Sequence, residues 1–222
     1  MNLDMRNKIR TLFMAALGLV MSAQMTFSAS PAASGGNTVI SYLPYTITAP
    51  GTYVLKANLS YPSDGNVPPA ITVGPNLTGP VTLDLKNFSL IGSGLYIGSV
   101  TGIVVPRGNQ FTITVQNGTV TKFDCGISAT DAGNLTLKNI NFTSNTEGLV
   151  FTRVGGATVT NCAFVGPAPD CNGIIDSGSD GAVNLYDSVT FSKIDHPLIV
   201  GGTQDDGAFT LNFKATPVKA TK

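Results

Sequence analysis

Residues 135–142 read LTLKNINF. Leu135 and Leu137 alternate with polar neighbours, as in a half-buried strand, but the next apolar residues are Ile140 and Phe142. The alternation slips by one residue at Asn139 and then resumes. Similar stretches lie on both sides: VTLDLKNFSL ends at Leu90, FTITVQNGTV at Val120, ATVTNCAF at Phe164 and VNLYDSVTF at Phe191. Aligned on these, Asn87, Asn117, Asn139, Asn161 and Asp187 share one place, at spacings of 30, 22, 22 and 26. Leu85, Val115, Leu137, Val159 and Leu185 stand two residues before. A left-handed residue at this place turns the chain sharply, so the strands on either side both point apolar groups inward. Asn and Asp tolerate that conformation best after Gly.

A second signature opens each unit: GIVV from Gly102, GISA from Gly126, GLVF from Gly148, GIID from Gly173 and PLIV from Pro197. A period of 20–50 residues predicts a solenoid. Each unit reads as three short strands, with no helical pattern. The asparagines, stacked one strand spacing apart, are placed to hydrogen-bond from unit to unit.

The glycine-led strand, the corner Asn and the short period resemble the right-handed parallel β-helix, or pectin-lyase-like, superfamily. The resemblance covers about residues 45–214. It implies an all-β, right-handed, single-stranded parallel β-helix of about seven short coils, from YTITAPGTYVLKANLSY to FTLNFKATPVK. Residues 31–44 are expected to form a linker or cap and 215–222 a tail. TVISYLPYTIT is expected to shield one open end of the stack.

Residues 1–30 have the order of a secretory signal: two Arg and one Lys in MNLDMRNKIR, the apolar run TLFMAALGLVM, then small residues. The expected location is therefore secreted, periplasmic or at the cell surface, with no membrane span after cleavage. Thirteen basic residues balance thirteen acidic ones, so no basic excess is present to hold a nucleic acid. Trp is absent and His occurs once, which excludes a His-rich metal site and a Trp platform for sugars. Of the three cysteines at least one is unpaired. Cys162 is expected to be a buried free thiol, with a Cys162–Cys171 bridge as the alternative.

Function is expected on outward positions. On the opening strands these are Thr72, Val104, Ser128, Val150, Ile175 and Ile199, four of them aliphatic. Either another segment covers this stripe, or it contacts a protein, a glycan or a second copy through Val104, Val150, Ile175 and Ile199. Just before those strands, Asp124, Glu147, Asp170 and Asp195 are expected in one acidic column. Such carboxylates repel unless a cation sits among them, and calcium suits oxygen ligands. With Arg153 or Lys193 nearby, the column would resemble the calcium-assisted proton abstraction of polysaccharide lyases. Solvated turn acids are the plainer reading. His196, in KIDHPL, resembles part of a pectate-lyase strand motif and otherwise reads as a surface residue. TQDDG at 203–207 lacks the companion motifs of the hydrolases on this fold and reads as a turn. The leading expectation is an exported, non-catalytic module that binds glycan or protein. The alternative is a calcium-assisted lyase acting on an acidic polysaccharide.

Overall fold

The computed structural model describes residues 36–61, 68–94, 100–167, 171–177, 184–200 and 210–212. The proposed leader, Asp170 and the TQDDG stretch lie outside them. The described residues are all-β, and every strand pair is parallel. One seven-stranded sheet stacks Tyr45–Ile47, Ile71–Val73, Thr101–Val105, Cys125–Thr130, Glu147–Thr152, Asn172–Asp176 and His196–Val200 in chain order. A twelve-stranded sheet holds the remainder. Its main path runs Thr38–Ile40, Gly51–Leu55, Val81–Asp84, Ile113–Thr121, Asn134–Thr143, Gly156–Thr160, Leu185–Asp187 and Thr210–Asn212. Leu59–Ser60, Ser89–Ile91, Ala163–Val165 and Thr190–Ser192 continue its rungs beyond the bend. Each stretch thus lies on the corresponding stretch of the next repeat, an arrangement consistent with a parallel β-solenoid. Thr38–Ile40, from the expected cap, forms the outermost rung by pairing with Gly51–Leu55.

The slip in LTLKNINF has the expected cause. Asn139 has φ 54°, while Leu135, Leu137, Ile140 and Phe142 are all buried. Asn117 (φ 56°) and Asn161 (φ 52°) repeat it. Asn139 Nδ2 donates to Asn117 Oδ1 at 2.9 Å, and Asn161 Nδ2 donates to Asn139 Oδ1 at 2.8 Å. The other two bends work the same way, with a left-handed asparagine only at Asn76 (φ 56°) among the described residues. Asp131 and Arg153 are left-handed at one; Lys122, Ser144 and Lys193 at the other. Across these bends too, buried residues stand three apart instead of two: Ala129 and Ala132, Phe151 and Val154, Val120 and Phe123.

The ladder separates two effects. Asn139→Gly is expected to lose only its side-chain bonds, about 1 kcal/mol. Asn139→Ala adds left-handed strain of about 1–2 kcal/mol. Urea unfolding should therefore rank wild type above Asn139→Gly and Asn139→Ala last; equal losses would show that Asn139 carries no backbone strain.

Two alignments are corrected. Leu83, not Leu85, pairs with Val115, while Leu90 still pairs with Val120. The bend at Asn87 is therefore two residues longer, with Lys86 (φ 52°) and Asn87 (φ 64°) both left-handed. Leu85, pushed inward by that insertion, takes the space beside Gly118, where an added Cβ would lie 2.4 Å from Leu85 Cβ. The ladder partner of Asn117 is consequently Asp84, whose Oδ1 accepts from Asn117 Nδ2 at 3.2 Å. At the other end Tyr186 pairs with Val159, and Ser188 (φ 54°), not Asp187, is the left-handed residue.

Inside, the glycine signature makes room for aromatic rings. An added Cβ would lie 2.6 Å from the Gly126 carbonyl at Gly102, 2.5 Å from the Gly148 carbonyl at Gly126, and 2.5 Å from the Pro197 carbonyl at Gly173. Phe142 stacks on Phe164 at 4.6 Å between ring centroids, and Phe164 on Phe191 at 5.3 Å. Buried amides serve backbone groups of neighbouring rungs. Asn145 accepts from Phe123 N at 3.0 Å and donates to the Val120 carbonyl at 2.9 Å. Among the described residues no buried side-chain nitrogen or oxygen lacks a hydrogen-bond partner.

Candidate functional site

The outer face of the seven-stranded sheet presents one straight column. Register pairs Thr46 with Thr72, Thr72 with Val104, Val104 with Ser128, Ser128 with Val150, Val150 with Ile175 and Ile175 with Ile199. The expected outward residues therefore do lie together. Thr72, Val104, Ser128, Val150 and Ile175 are half-buried, while Ile199 is 38% exposed, one of three large exposed apolar side chains among the described residues. Thr130 and Thr152 form a second, hydroxyl-bearing column beside it.

Where these strands end, charges alternate from rung to rung. Arg107 donates to Asp131 Oδ2 from Nε at 3.0 Å and from Nη2 at 2.9 Å. Arg153 donates from Nε to Asp131 Oδ1 and from Nη2 to Asp131 Oδ2 at 2.8 Å. The two guanidinium groups hold the Asp131 carboxyl down at about 2, Arg153 contributing most. Because the folded value lies below the ordinary one, this stabilisation is present above about pH 4 and lost as pH falls toward 2. The exposed setting keeps the effect modest and salt-sensitive. Asp131→Asn is therefore expected to flatten the fall in melting temperature between pH 4 and pH 2, most visibly at low salt. An unchanged acid limb would show that the Arg107–Asp131–Arg153 column adds nothing to stability.

Where the strands begin, the expected acidic column is not assembled in register. Cys125, Glu147, Asn172 and His196 are the aligned residues. Asp124 lies one step earlier, its Oδ2 accepting from Val100 N at 2.8 Å. Burial, and then Asp124, raise the Glu147 carboxyl. Asp195, Lys193 and His196 are exposed, and Lys193 has φ 54°. Among the described residues no three His, Cys, Asp or Glu side chains lie close enough to hold a metal ion. Asp170, the fourth expected carboxylate, lies outside the described residues, and Asp124, Glu147 and Asp195 are not register partners of one another. Nor is Arg153 near them: it follows Glu147–Thr152, at the opposite end of the strand from Glu147, and is engaged by Asp131.

Three further features lie outside the expected columns. Asp176 is fully buried in the interior, its Oδ2 accepting from Asn184 Nδ2 at 2.6 Å and from the Tyr186 hydroxyl at 3.3 Å. Burial, and then Asp176, raise the Tyr186 hydroxyl above its ordinary range. Asn184 Oδ1 accepts in turn from Ala157 N at 2.8 Å, so the carboxylate is tied into the neighbouring rung. The GIID signature contained the acid, but only the fold shows which partners reach it. Second, Cys125, Cys162 and Cys171 are free thiols, so Cys162 is the buried free thiol expected and the alternative Cys162–Cys171 bridge is not formed. Burial pushes Cys125 up to about 12 and Cys162 up to about 11, which makes both poor nucleophiles. Third, a cavity of about 560 Å³ near the first rungs is lined by Asn37, Val39, Val54, Lys56, Lys86 and Phe88 among others. Its lining carries two lysines, Lys56 and Lys86, and no carboxylate or thiol.

No known protein family, no curated protein and no solved structure matches the chain.

Proposed function

We propose that this chain is an exported, non-catalytic module of the right-handed parallel β-helix architecture, resembling the pectin-lyase-like superfamily. Its contact surface is the outer face of the seven-stranded sheet, and its partner a protein or a glycan. The single observation that carries the reading is the register that sets Val104, Val150, Ile175 and Ile199 in one outward column. Export rests on the charged, then apolar, then small-residue order of the first thirty residues. The fold-family reading rests on the asparagine ladder and the glycines beneath the aromatic stack. A catalytic role is less well supported, because Arg153 and Glu147 occupy opposite ends of one strand.

The test is binding of the purified protein to a defined panel of soluble glycans and purified extracellular proteins, beside an Ile175→Lys variant of equal melting temperature. Binding that falls about tenfold or more in the variant is expected. Binding indifferent to Ile175→Lys would overturn the contact face. Release of unsaturated sugar ends from pectate or alginate, with calcium present, would overturn the non-catalytic reading.

A further inference from the structure

The face is polarised across its width. At the strand ends two arginines, Arg107 and Arg153, stand against one carboxylate, Asp131. At the strand starts three carboxylates, Asp124, Glu147 and Asp195, stand against two lysines, Lys122 and Lys193, with His196 in the same region. Among the described residues one margin is therefore net positive and the other net negative, with the aliphatic column between them. The column itself carries no aromatic ring, the side chain that commonly stacks on a sugar.

We propose that the partner of this face is a second copy of the chain, related by a two-fold axis parallel to the direction of rung stacking. The proposal rests on the contact-face reading above. Such an axis lays two seven-stranded sheets face to face with their strands antiparallel. It keeps the rungs of the two copies level while exchanging strand starts for strand ends. The positive margin of each copy then meets the negative margin of the other, and Val150, Ile175 and Ile199 meet their own counterparts. A two-fold axis along the strands would instead set like margins against each other, so the charge pattern selects between the two arrangements. This fixes one contact in particular: Arg153 and Glu147 belong to the same rung, so Arg153 of one copy faces Glu147 of the other across the margin.

The size of the face sets the strength. Seven rungs at about 4.8 Å, two with strands of three residues and five with strands of five or six, at about 3.3 Å per residue, give roughly 500 Å² per copy, or roughly 1,000 Å² for the pair. That is the lower limit of specific interfaces, and it predicts a reversible dimer in the micromolar range or weaker.

Sedimentation equilibrium of the purified protein, from micromolar to millimolar, tests this. The wild type is expected to dimerise reversibly. Arg153→Glu alone and Glu147→Arg alone are each expected to weaken the dimer by about tenfold or more. An equimolar mixture of the two variants is expected to regain wild-type affinity, because each margin of one then faces an opposite charge on the other. Arg153→Glu also breaks a contact within the chain, to Asp131; the mixture controls for this, since an internal defect is not repaired by a partner. Ile175→Lys, checked by its melting temperature, is expected to be monomeric. A monomer throughout the range, a dimer indifferent to Ile175→Lys, or a mixture no tighter than its parents would overturn the proposal. A monomer whose glycan or protein binding still falls with Ile175→Lys would overturn the second copy alone and leave the contact face standing.

Discussion

Phe164→Ala is expected to lower stability by about 3–5 kcal/mol, the cost of truncating a fully buried aromatic ring. Phe164 is 1% exposed and lies between Phe142 and Phe191, with interplanar angles of 6° and 21°. Truncation removes both ring contacts, each about 0.5–1.5 kcal/mol beyond burial. The surrounding rungs are tied by parallel backbone ladders on both sides, so they cannot collapse into the void. In urea the midpoint should fall with an unchanged slope. A loss below about 1 kcal/mol would mean that the ring column is not a packed core.

Gly148→Ala is expected to be nearly as damaging, although it adds a single methyl group. The new Cβ would sit 2.4 Å from Phe164 Cδ1 and 2.6 Å from the Gly173 carbonyl oxygen. Overpacking of this kind costs about 1–3 kcal/mol and occasionally more. The ring could yield, but the carbonyl belongs to the strand Asn172–Asp176, which is paired on both sides. Combining Gly148→Ala with Phe164→Ala separates the two collisions. If the carbonyl contact dominates, the double variant is less stable than Phe164→Ala alone; if the ring contact dominates, the two are equal. We expect the first. Ser128→Ala, on the outward column, is the control and should stay within about 0.5 kcal/mol of wild type.

Much of this packing was legible in the residues. The parity change around Asn139 needs only Leu135, Leu137, Ile140 and Phe142, and it predicts both a left-handed residue and the side of the strand that is buried. The same cue was present at the other two bends, as the three-residue steps Ala129 to Ala132 and Phe151 to Val154. It was masked because Arg153, Lys122 and Lys193 are not side chains associated with a left-handed backbone. VTLDLKN resembles FTITVQN closely enough to hide two inserted residues, and the ladder then passes to Asp84 instead of Asn87.

The contact column was legible because alternation decides which side chains of a strand face outward. The charged margins were not, because the short lead-in before each opening strand varies in length. Asp124 stands two residues before Gly126, whereas Glu147 stands one before Gly148. As a result Glu147 aligns with Cys125. The Arg107–Asp131–Arg153 column, with pairs 24 and 22 residues apart, follows the period of the repeat. It becomes visible once that bend is recognised. Asp176 was the hardest to place, since a carboxylate at an interior position contradicts the pattern, and the hydrogen bonds from Asn184 and Tyr186 that help satisfy it come from residues eight and ten positions away.

Cross-linking tests the vertical stacking of rungs most directly. Thr136 and Thr158 are register partners on neighbouring rungs, and Thr114 lies one rung beyond Thr136. Cα atoms about 4.8 Å apart are within reach of a disulfide, whereas two rungs, roughly 9–10 Å, are not. Mild oxidation is expected to join the cysteines of a Thr136→Cys/Thr158→Cys variant and to leave those of Thr114→Cys/Thr158→Cys reduced, as read by peptide mapping. A Thr136–Thr158 pair that stays reduced, or a Thr114–Thr158 pair that bridges as readily, would contradict the stack.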